Sequence, residues 1–260
     1  MPTDLSPIAR AKFVAAKMAT DYVKTGMKVG LGTGSTAEWL VKCLGEMVRN
    51  EGLRIQGVPT SIRTAQLARD VGIKVISLDE AKWLDLTIDG ADEFDGNLNL
   101  IKGGGGALLQ EKIVATASDQ MIVIADVSKQ VESLGSFPLP IEIIPFGWKV
   151  TKTLIEETLI GLDVLGQTTI LRMNGDDPFV TDEGNHILDL HLNRIGNPRQ
   201  ISLLMNQIPG VVENGLFIDI CDTLIIGYGD GKAEVRDINN RALGEAKFDF
   251  LDVGNLFSDK

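Results

Sequence analysis

The fold class follows from the segment Met27-Lys28-Val29-Gly30-Leu31-Gly32-Thr33-Gly34-Ser35-Thr36. Its apolar first half predicts a short buried strand, and apolar positions recur at helical spacing over residues 37–48. The turn between them offers backbone N–H groups and hydroxyls at the start of a helix, an arrangement that suits a phosphate group. The same residues are equally consistent with an ordinary strand–helix turn that ends in a Ser/Thr cap.

This turn does not fit the two common nucleotide-binding motifs. No Lys follows Gly34, as a Walker loop requires, and Ser35 occupies the place of the third glycine in G-x-G-x-x-G. The turn alone therefore does not specify a nucleotide.

Strand and helix signals alternate on both sides of the turn. Helices are predicted over 6–24, 61–71 and 105–117, and strands over 53–58, 73–78, 84–89 and 121–125. Because strands that alternate with helices pair in parallel through right-handed crossovers, we expect an α/β fold with a Rossmann-like parallel sheet. We assign this domain to residues 1–133, and we expect the chain to return to its sheet at about 212–230, through strands near 216–220 and 223–227.

Residues 134–211 differ in character, beginning with a cluster of prolines at 138, 140 and 145. Helices near 148–161 and 198–207 alternate with strands near 168–173, 179–181 and 186–192. This pattern predicts a smaller, compact α+β domain. Residues 231–260 are polar and irregular, and no element is predicted for them.

Composition and charge exclude several classes of function. The chain has 260 residues, with 36 acidic and 25 basic side chains and a formal net charge of −11. This excess argues against a nucleic-acid-binding protein and against docking on anionic lipid. Two cysteines without a CxxC motif, no signal-peptide pattern and no apolar run near the roughly 20 residues of a membrane span favour a cytoplasmic protein.

Four acids lie close together in Asp89-Gly90-Ala91-Asp92-Glu93-Phe94-Asp95. An EF-hand calcium loop does not fit, since Ala91 and Lys102 would stand at its first and last ligand positions. Asp89 ends a predicted strand, and open α/β sheets bind ligands at the carboxyl ends of their strands. We therefore favour a functional role for Asp89 and Asp92, and we expect Glu93 and Asp95 to be solvated turn residues.

A run of four glycines, Gly103-Gly104-Gly105-Gly106, follows Lys102. Such a run is costly in backbone entropy, and its apolar flanks argue against a flexible linker. It indicates close approach of the backbone to a ligand, with Lys102 beside it to neutralise an anion.

Glu111 lies in the next predicted helix, with apolar residues three and four positions away on both sides. A desolvated carboxylate can act as a general base near neutral pH. A Glu paired with Lys112 on the surface is the simpler alternative. Lys129 follows the predicted strand over 121–125, and it is either a surface lysine or an anion contact at the same edge of the sheet.

Together and in this order, these segments resemble the type A ribose-5-phosphate isomerases. The shared motifs are Thr33–Thr36, Asp89–Glu93, Lys102–Gly105, Glu111-Lys112, Ser128-Lys129, Phe137–Pro140 and Ile208–Val212. The resemblance runs from the first predicted helix to at least Leu216, and its specificity comes from joint order and spacing. Gly106 and the residues after about Gly229 depart from the family pattern.

The resemblance implies an enzyme that interconverts D-ribose 5-phosphate and D-ribulose 5-phosphate in pentose phosphate metabolism, without a metal or organic cofactor. It also implies a Rossmann-like domain with a smaller ferredoxin-like domain, and assembly as a homodimer or homotetramer. Glu111 matches the catalytic base, and Lys12 matches a family lysine near the phosphate. The implied substrate-binding residues are Thr33, Gly34, Ser35, Thr36, Asp89, Gly90, Ala91, Asp92, Lys102, Gly103, Gly104, Gly105 and Lys129.

Three other functions are weighed against this one. A sugar-phosphate sensor would keep the phosphate turn without a base, but Glu111 in an apolar stripe and the lack of a basic DNA-binding helix count against it. A nicotinamide-dependent dehydrogenase needs an acid after its second strand, where Val58-Pro59 stands. A coenzyme A transferase, distantly similar in fold, is disfavoured by the combination of Asp89–Glu93 with Lys102–Gly105.

Overall fold

The computed structural model describes residues 5–239 and 241–248. Its helices are α1 Pro7–Ala19, α2 Ser35–Asn50, α3 Ile62–Asp70, α4 Leu78–Ala81, α5 Leu108–Thr116, α6 Trp148–Leu159 and α7 Pro198–Met205, with 3₁₀ turns at Thr20–Tyr22 and Val127–Lys129. Its strands are β1 Lys28–Leu31, β2 Gln56–Pro59, β3 Lys74–Val75, β4 Leu86–Gly90, β5 Glu93–Phe94, β6 Leu100–Ile101, β7 Met121–Asp126, β8 Leu139–Ile143, β9 Thr168–Leu171, β10 Met173–Asn174, β11 Asp177–Pro178, β12 His186–His191, β13 Val211–Asn214, β14 Leu216–Phe217, β15 Thr223–Gly227, β16 Lys232–Asp237 and β17 Ala242–Lys247.

These elements form two compact units. Unit 1 comprises the described residues up to Gly90, Ile113–Lys129 and the described residues from Ile220 onward. Unit 2 comprises Ala91–Lys112 and Gln130–Asp219. The division expected from the sequence differs in that it groups residues 91–112 with the first domain. Those residues belong to unit 2 because β5 and β6 pair in an antiparallel sheet with β14.

Unit 1 is built on one sheet, whose described strands follow the order β17-β16-β15-β7-β4-β1-β2-β3. The strands from β15 to β3 are parallel. β7 and β15 are buried along their whole lengths, as expected for parallel strands covered on both faces. This arrangement confirms the predicted Rossmann-like parallel sheet.

α1 and α2 cover one face of this sheet. The Ser6 hydroxyl accepts the Ala9 N–H at 3.3 Å and Pro7 stands in the first turn, so α1 begins where the capping pattern predicts. Buried alanine, valine, leucine and isoleucine side chains from both helices and from the parallel strands form the core of this layer. On the opposite face Val114 of α5 packs with Val58 of β2.

A hairpin of β16 and β17 occupies residues for which the sequence predicts no element. β16 pairs antiparallel with β15 along all of Thr223–Gly227, and β17 pairs with β16. The buried hydrophobic side chains of the described hairpin are Ala233 and Val235, and most of β17 is exposed. So weak an apolar pattern explains why the hairpin escapes prediction.

Unit 2 contains a four-stranded antiparallel sheet in the order β13-β8-β12-β9. Its chain order is β8-α6-β9-β12-α7-β13, with a small β10–β11 hairpin between β9 and β12. This is the βαββαβ pattern of ferredoxin-like folds, with Ile155 of α6 and Met205 of α7 in its core. The prediction of a smaller α+β domain is confirmed.

One strand expected in the first sheet lies elsewhere. The stretch 216–220 is predicted to rejoin the parallel sheet, but Leu216–Phe217 pairs with Leu100–Ile101 in unit 2. The return to unit 1 is made by β15 alone, which joins β7 in parallel. Both stretches are short and apolar, so their pattern does not distinguish their partners.

Both cysteines are buried and neither forms a disulfide. Burial raises the pKa of the Cys43 thiol and of the Cys221 thiol to about 12, so both remain protonated at neutral pH. Among the described helices, none combines the length and the apolar character that crossing a bilayer would require.

Gly227 of β15 lies directly beneath α1. A Cβ at this position would lie 1.9 Å from the carbonyl oxygen of Ala11. We expect Gly227→Ala to lower the free energy of unfolding by about 1–3 kcal/mol, because backbone must move to relieve the clash. Urea unfolding measures this loss. Gly244→Ala is the matched control, since no atom of the described residues outside its immediate neighbours lies within 4 Å of its Cβ position. Equal losses in the two variants would contradict the prediction.

Candidate active site

The turn between β1 and α2 is shaped by Asp89 of the neighbouring strand β4. The N–H of Thr33 donates to Asp89 Oδ1 at 3.0 Å, and the N–H of Gly90 donates to the same oxygen at 2.7 Å. Only glycine fits at position 32, because a Cβ there would lie 2.0 Å from Asp89 Oδ1. Two segments that the sequence places in one site, the glycine-rich turn and the strand-ending aspartate, are therefore in direct contact.

A cluster of hydroxyls supports this turn from beneath. Thr33 Oγ1 lies 2.8 Å from Thr60 Oγ1, 2.8 Å from Ser61 Oγ and 3.1 Å from Thr64 Oγ1. Thr64 Oγ1 also donates to the Gly32 carbonyl at 3.0 Å. The sequence analysis missed Thr60, Ser61 and Thr64, although their place after the second strand was a signal. Hydroxyls stand where a dinucleotide-binding fold would carry an acid.

The N-terminus of α2 combines several groups that attract anions. Gly34 has φ +123°, a conformation that favours glycine, and Ser35 opens a helix of 16 residues with an exposed side chain. Lys12 of α1 donates from Nζ to Ser35 Oγ at 2.8 Å. Thr36, one residue further, is buried. A cation, a hydroxyl and the N–H groups of a helix start thus lie together, as a phosphate site requires.

Lys129 ends the 3₁₀ turn that follows β7. Asp126, the last residue of β7, orders this turn by accepting the Ser128 N–H at 3.0 Å and the Ser128 hydroxyl. β1, β4 and β7 are adjacent and parallel. The turn after β1, Asp89 near the end of β4 and the turn with Lys129 after β7 therefore lie at the carboxyl ends of three neighbouring strands.

In unit 2, Asp92 and the glycine run are joined by backbone hydrogen bonds. Gly90 and Ala91 lead from β4 to Asp92, whose N–H donates to the Ile101 carbonyl at 2.8 Å. The N–H of Gly104 in turn donates to Asp92 Oδ2 at 2.7 Å. Gly103 has φ +98°, so the glycine is needed for backbone conformation as well as for space. Gly104 and Gly105 are exposed.

Lys102 and Glu111 form a buried ion pair. Lys102 Nζ lies 3.4 Å from Glu111 Oε2, with side-chain exposures of 2% and 4%. Lys102 follows β6 and Glu111 stands in the first turn of α5, so the glycine run between them reverses the chain and brings the two charges together. The alternative of a surface Glu is excluded by this burial. A carboxylate beside an ammonium, both shielded from water, is an arrangement that suits proton transfer.

The ring of Phe217 lies beside this ion pair, and the sequence analysis did not identify it. The ring centroid lies 5.4 Å from Lys102 Nζ and 4.8 Å from Lys112 Nζ, within cation–π range of both. Lys112 donates to Glu213 Oε1 at 2.9 Å and to the Asn214 carbonyl at 2.6 Å. Burial lowers the pKa of Lys112, although Glu213 opposes that shift. A Phe within a short apolar strand gives no signal for such a role.

The expectation that Glu93 and Asp95 are solvated is wrong. Glu93 is buried and accepts the N–H groups of Gly135, at 2.7 Å, and of Phe137. Asp95 is also buried and accepts the N–H groups of Asn97 at 2.8 Å and Asn99 at 2.9 Å. Both carboxylates organise loops of unit 2. Across the described residues, no group of three or more His, Cys, Asp or Glu side chains is arranged to hold a metal ion.

Comparison with known proteins identifies the family of this chain. The family model described as ribose 5-phosphate isomerase A (phosphoriboisomerase A) matches residues 56–231. A ribose-5-phosphate isomerase A from Ruegeria sp. (strain TM1040) is 73% identical over 259 residues, covering 100% of this chain and 99% of the relative.

Solved structures of similar proteins share the fold. A D-ribose-5-phosphate isomerase in complex with phospho-erythronic acid matches with a TM-score of 0.82 and 40% identity, covering 90% of this chain and 100% of the other. The ribose 5-phosphate isomerase A of Methanocaldococcus jannaschii matches with a TM-score of 0.80 and 38% identity, covering 87% and 97%. The chain therefore belongs to the ribose 5-phosphate isomerase A family and is an isomerase.

Proposed function

We propose that this protein interconverts D-ribose 5-phosphate and D-ribulose 5-phosphate through an enediolate, with Glu111 as the general base. The observation that carries the proposal is the buried Lys102–Glu111 pair, with 3.4 Å between Nζ and Oε2. An aldose–ketose isomerase needs one carboxylate that takes and returns a proton, and a cation that stabilises the negative charge formed in between. Family membership supports the same substrate.

In the proposed reaction, Glu111 removes the proton from C2 of the open-chain aldose. The electrons of that C–H bond form the C1–C2 double bond, and O1 takes the negative charge. The proton on O2 then moves to O1, and protonated Glu111 returns its proton to C1, leaving a carbonyl at C2. One carboxylate serves both steps, so the reverse reaction uses the same group.

The enediolate oxygens require positive charge or N–H donors placed in advance. Lys102 supplies an ammonium beside the base, and the exposed Gly105 offers a backbone N–H. Asp89 and Asp92 are assigned to the sugar hydroxyls, whose protons must move when the ring opens. Both carboxylates already bind backbone N–H groups and so have fixed orientations.

The phosphate is assigned to residues of unit 1. The N-terminus of α2 with Thr33, Gly34, Ser35 and Thr36 provides N–H groups and hydroxyls, and Lys12 and Lys129 provide charge. Lys12 already donates to Ser35 Oγ at 2.8 Å, which places its ammonium at the first residue of α2. A dianion is bound here by a few local groups, since the chain as a whole carries a charge of −11.

The family resemblance also supports a role in pentose phosphate metabolism, a cytoplasmic location, assembly as a homodimer or homotetramer, and catalysis without a metal or organic cofactor. We include these in the proposal.

The purified protein should form ketose from ribose 5-phosphate at the same rate with and without EDTA. Unphosphorylated ribose should react far more slowly, because it lacks the group that unit 1 binds. A colorimetric ketose assay measures all three rates. Absence of ketose from ribose 5-phosphate would overturn the proposed function, and loss of activity in EDTA would overturn catalysis without a metal.

Glu111→Gln should lower kcat by about 100-fold or more with little change in substrate affinity, because the amide keeps the shape of the side chain but cannot accept the C2 proton. Glu132→Gln, at an exposed position of unit 2, is the matched control and should keep full activity. A drop in kcat of less than about tenfold would show that Glu111 is not the base.

Lys129→Ala should raise KM for ribose 5-phosphate by about tenfold, the effect of losing one charge-assisted contact worth about 1.5 kcal/mol. The steady-state rate as a function of substrate concentration gives this value. Lys24→Ala, which removes an exposed lysine of the same unit, controls for the change in net charge. An unchanged KM would remove Lys129 from the phosphate site.

A further inference from the structure

Arg172, the residue after β9, contacts the glycine run and has no part in the mechanism above. Its Nη1 donates to the Gly103 carbonyl at 2.9 Å and to the Gly104 carbonyl at 3.2 Å. Two consecutive carbonyls of the loop are therefore held by one guanidinium. The loop is otherwise closed by a turn in which the Gly106 N–H donates to the Gly103 carbonyl at 3.0 Å.

The guanidinium is itself held rigidly. Arg172 Nε donates to Asp189 Oδ2 at 2.9 Å and Nη2 donates to Asp189 Oδ1 at 2.5 Å, a bidentate pair with side-chain exposures of 14% and 18%. The ring of Phe179 lies 5.8 Å from the guanidinium carbon and packs against Gly106, where a Cβ would lie 2.4 Å from the ring. A Lys at this position could not reproduce these contacts, because it lacks the planar guanidinium that binds Asp189 through two nitrogens and lies against the Phe179 ring.

The segment that carries Phe179 is anchored in turn. The N–H of Phe179 donates to the Arg172 carbonyl at 2.9 Å. Thr181 and Asn185 donate to Glu142 Oε1 at 2.9 and 3.0 Å. Glu142 is fully buried in β8, and burial raises the pKa of its carboxyl. Arg172 thus reaches the glycine run from a fixed platform on the small sheet.

The hydrogen bonds from Arg172 to the two carbonyls also determine where the following N–H groups point. In a trans peptide the carbonyl and the following N–H point to opposite sides, and no described peptide bond is cis. With the Gly103 carbonyl on Arg172, the Gly104 N–H points away from Arg172, and it donates to Asp92 Oδ2 at 2.7 Å. Because the same guanidinium also binds the Gly104 carbonyl, the exposed Gly105 N–H points away from Arg172 as well.

We propose that Arg172 is a positioning residue for the isomerisation, which holds the Gly103 and Gly104 carbonyls so that the Gly104 N–H orients Asp92 and the Gly105 N–H faces the enediolate oxygen. The inference rests on the proposed function. The cation also polarises the two peptides, which strengthens their N–H groups as donors. Arg172 thereby acts on the transition state from behind the loop, without touching the substrate.

The test compares Arg172→Lys, Arg172→Gln and Asp189→Asn with wild type. Arg199→Gln is the matched control, since Arg199 forms an exposed ion pair with Asp219 in the same unit. The measurements are kcat and KM for ribose 5-phosphate and the inhibition constant of phospho-erythronic acid, whose planar anionic carboxylate resembles the enediolate. Circular dichroism and thermal melting verify that each variant is folded.

Arg172→Gln should lower kcat by about tenfold or more and leave KM within about twofold, because the displaced donors act in the transition state. The inhibition constant should rise by the same factor as kcat/KM falls. Arg172→Lys should restore only part of the loss, and Asp189→Asn should show a smaller loss in the same direction.

A folded Arg172→Gln variant with wild-type kcat, or with unchanged affinity for phospho-erythronic acid, would overturn the inference. If Arg172→Gln does not fold, Asp189→Asn decides, and unchanged inhibitor affinity in that variant would overturn it equally. An inactive wild-type protein would instead refute the proposed function, so the two failures are distinguishable.

Discussion

Two opposite charges buried 3.4 Å apart, on Lys102 and Glu111, constrain the part of unit 2 around them. Transfer of each charge out of water costs several kcal/mol. The attraction between the charges offsets this cost only if the distance and orientation of the two groups are fixed. The Lys102 N–H is fixed on the Gly215 carbonyl at 2.9 Å, and the Phe217 ring lies 5.4 Å from the ammonium. The glycine run follows from the same constraint, since the chain must reverse between β6 and α5 for the carboxylate to reach the ammonium.

In unit 1 the turn between β1 and α2 is supported by one carboxylate and several neutral hydroxyls. Its turn rests on a buried carboxylate, Asp89, and on hydroxyls around Thr33 that bond to one another. Neutral donors at a helix start bind an anion without adding a strong field of their own, which suits an acidic chain.

The periodic elements were predictable because each repeats one local rule over several residues, as α1 with its Ser6 cap and β7 with its unbroken apolar run show. Contacts between residues that lie far apart along the chain could not be predicted in this way. The sequence gives Lys112 as a possible partner of Glu111, whereas Lys112 bonds to Glu213 and Glu111 pairs with Lys102. Glu93 looks like a solvated acid until the N–H groups of Gly135 and Phe137 are placed against it. Candidate residues can be read locally, but their pairing depends on topology.

The β16–β17 hairpin has a consequence for solubility. Without it, β15 would present an entirely buried, apolar strand at the open edge of a parallel sheet, which is a template for pairing with another chain. Among the described strands, the hairpin covers that edge and leaves β17 outermost, a strand that is largely exposed and includes Glu245 and Lys247. Charged side chains on an exposed strand, here Glu245 and Lys247, oppose pairing with another chain. Natural variation in this segment is therefore expected to be limited by protection of the sheet edge, independently of catalysis.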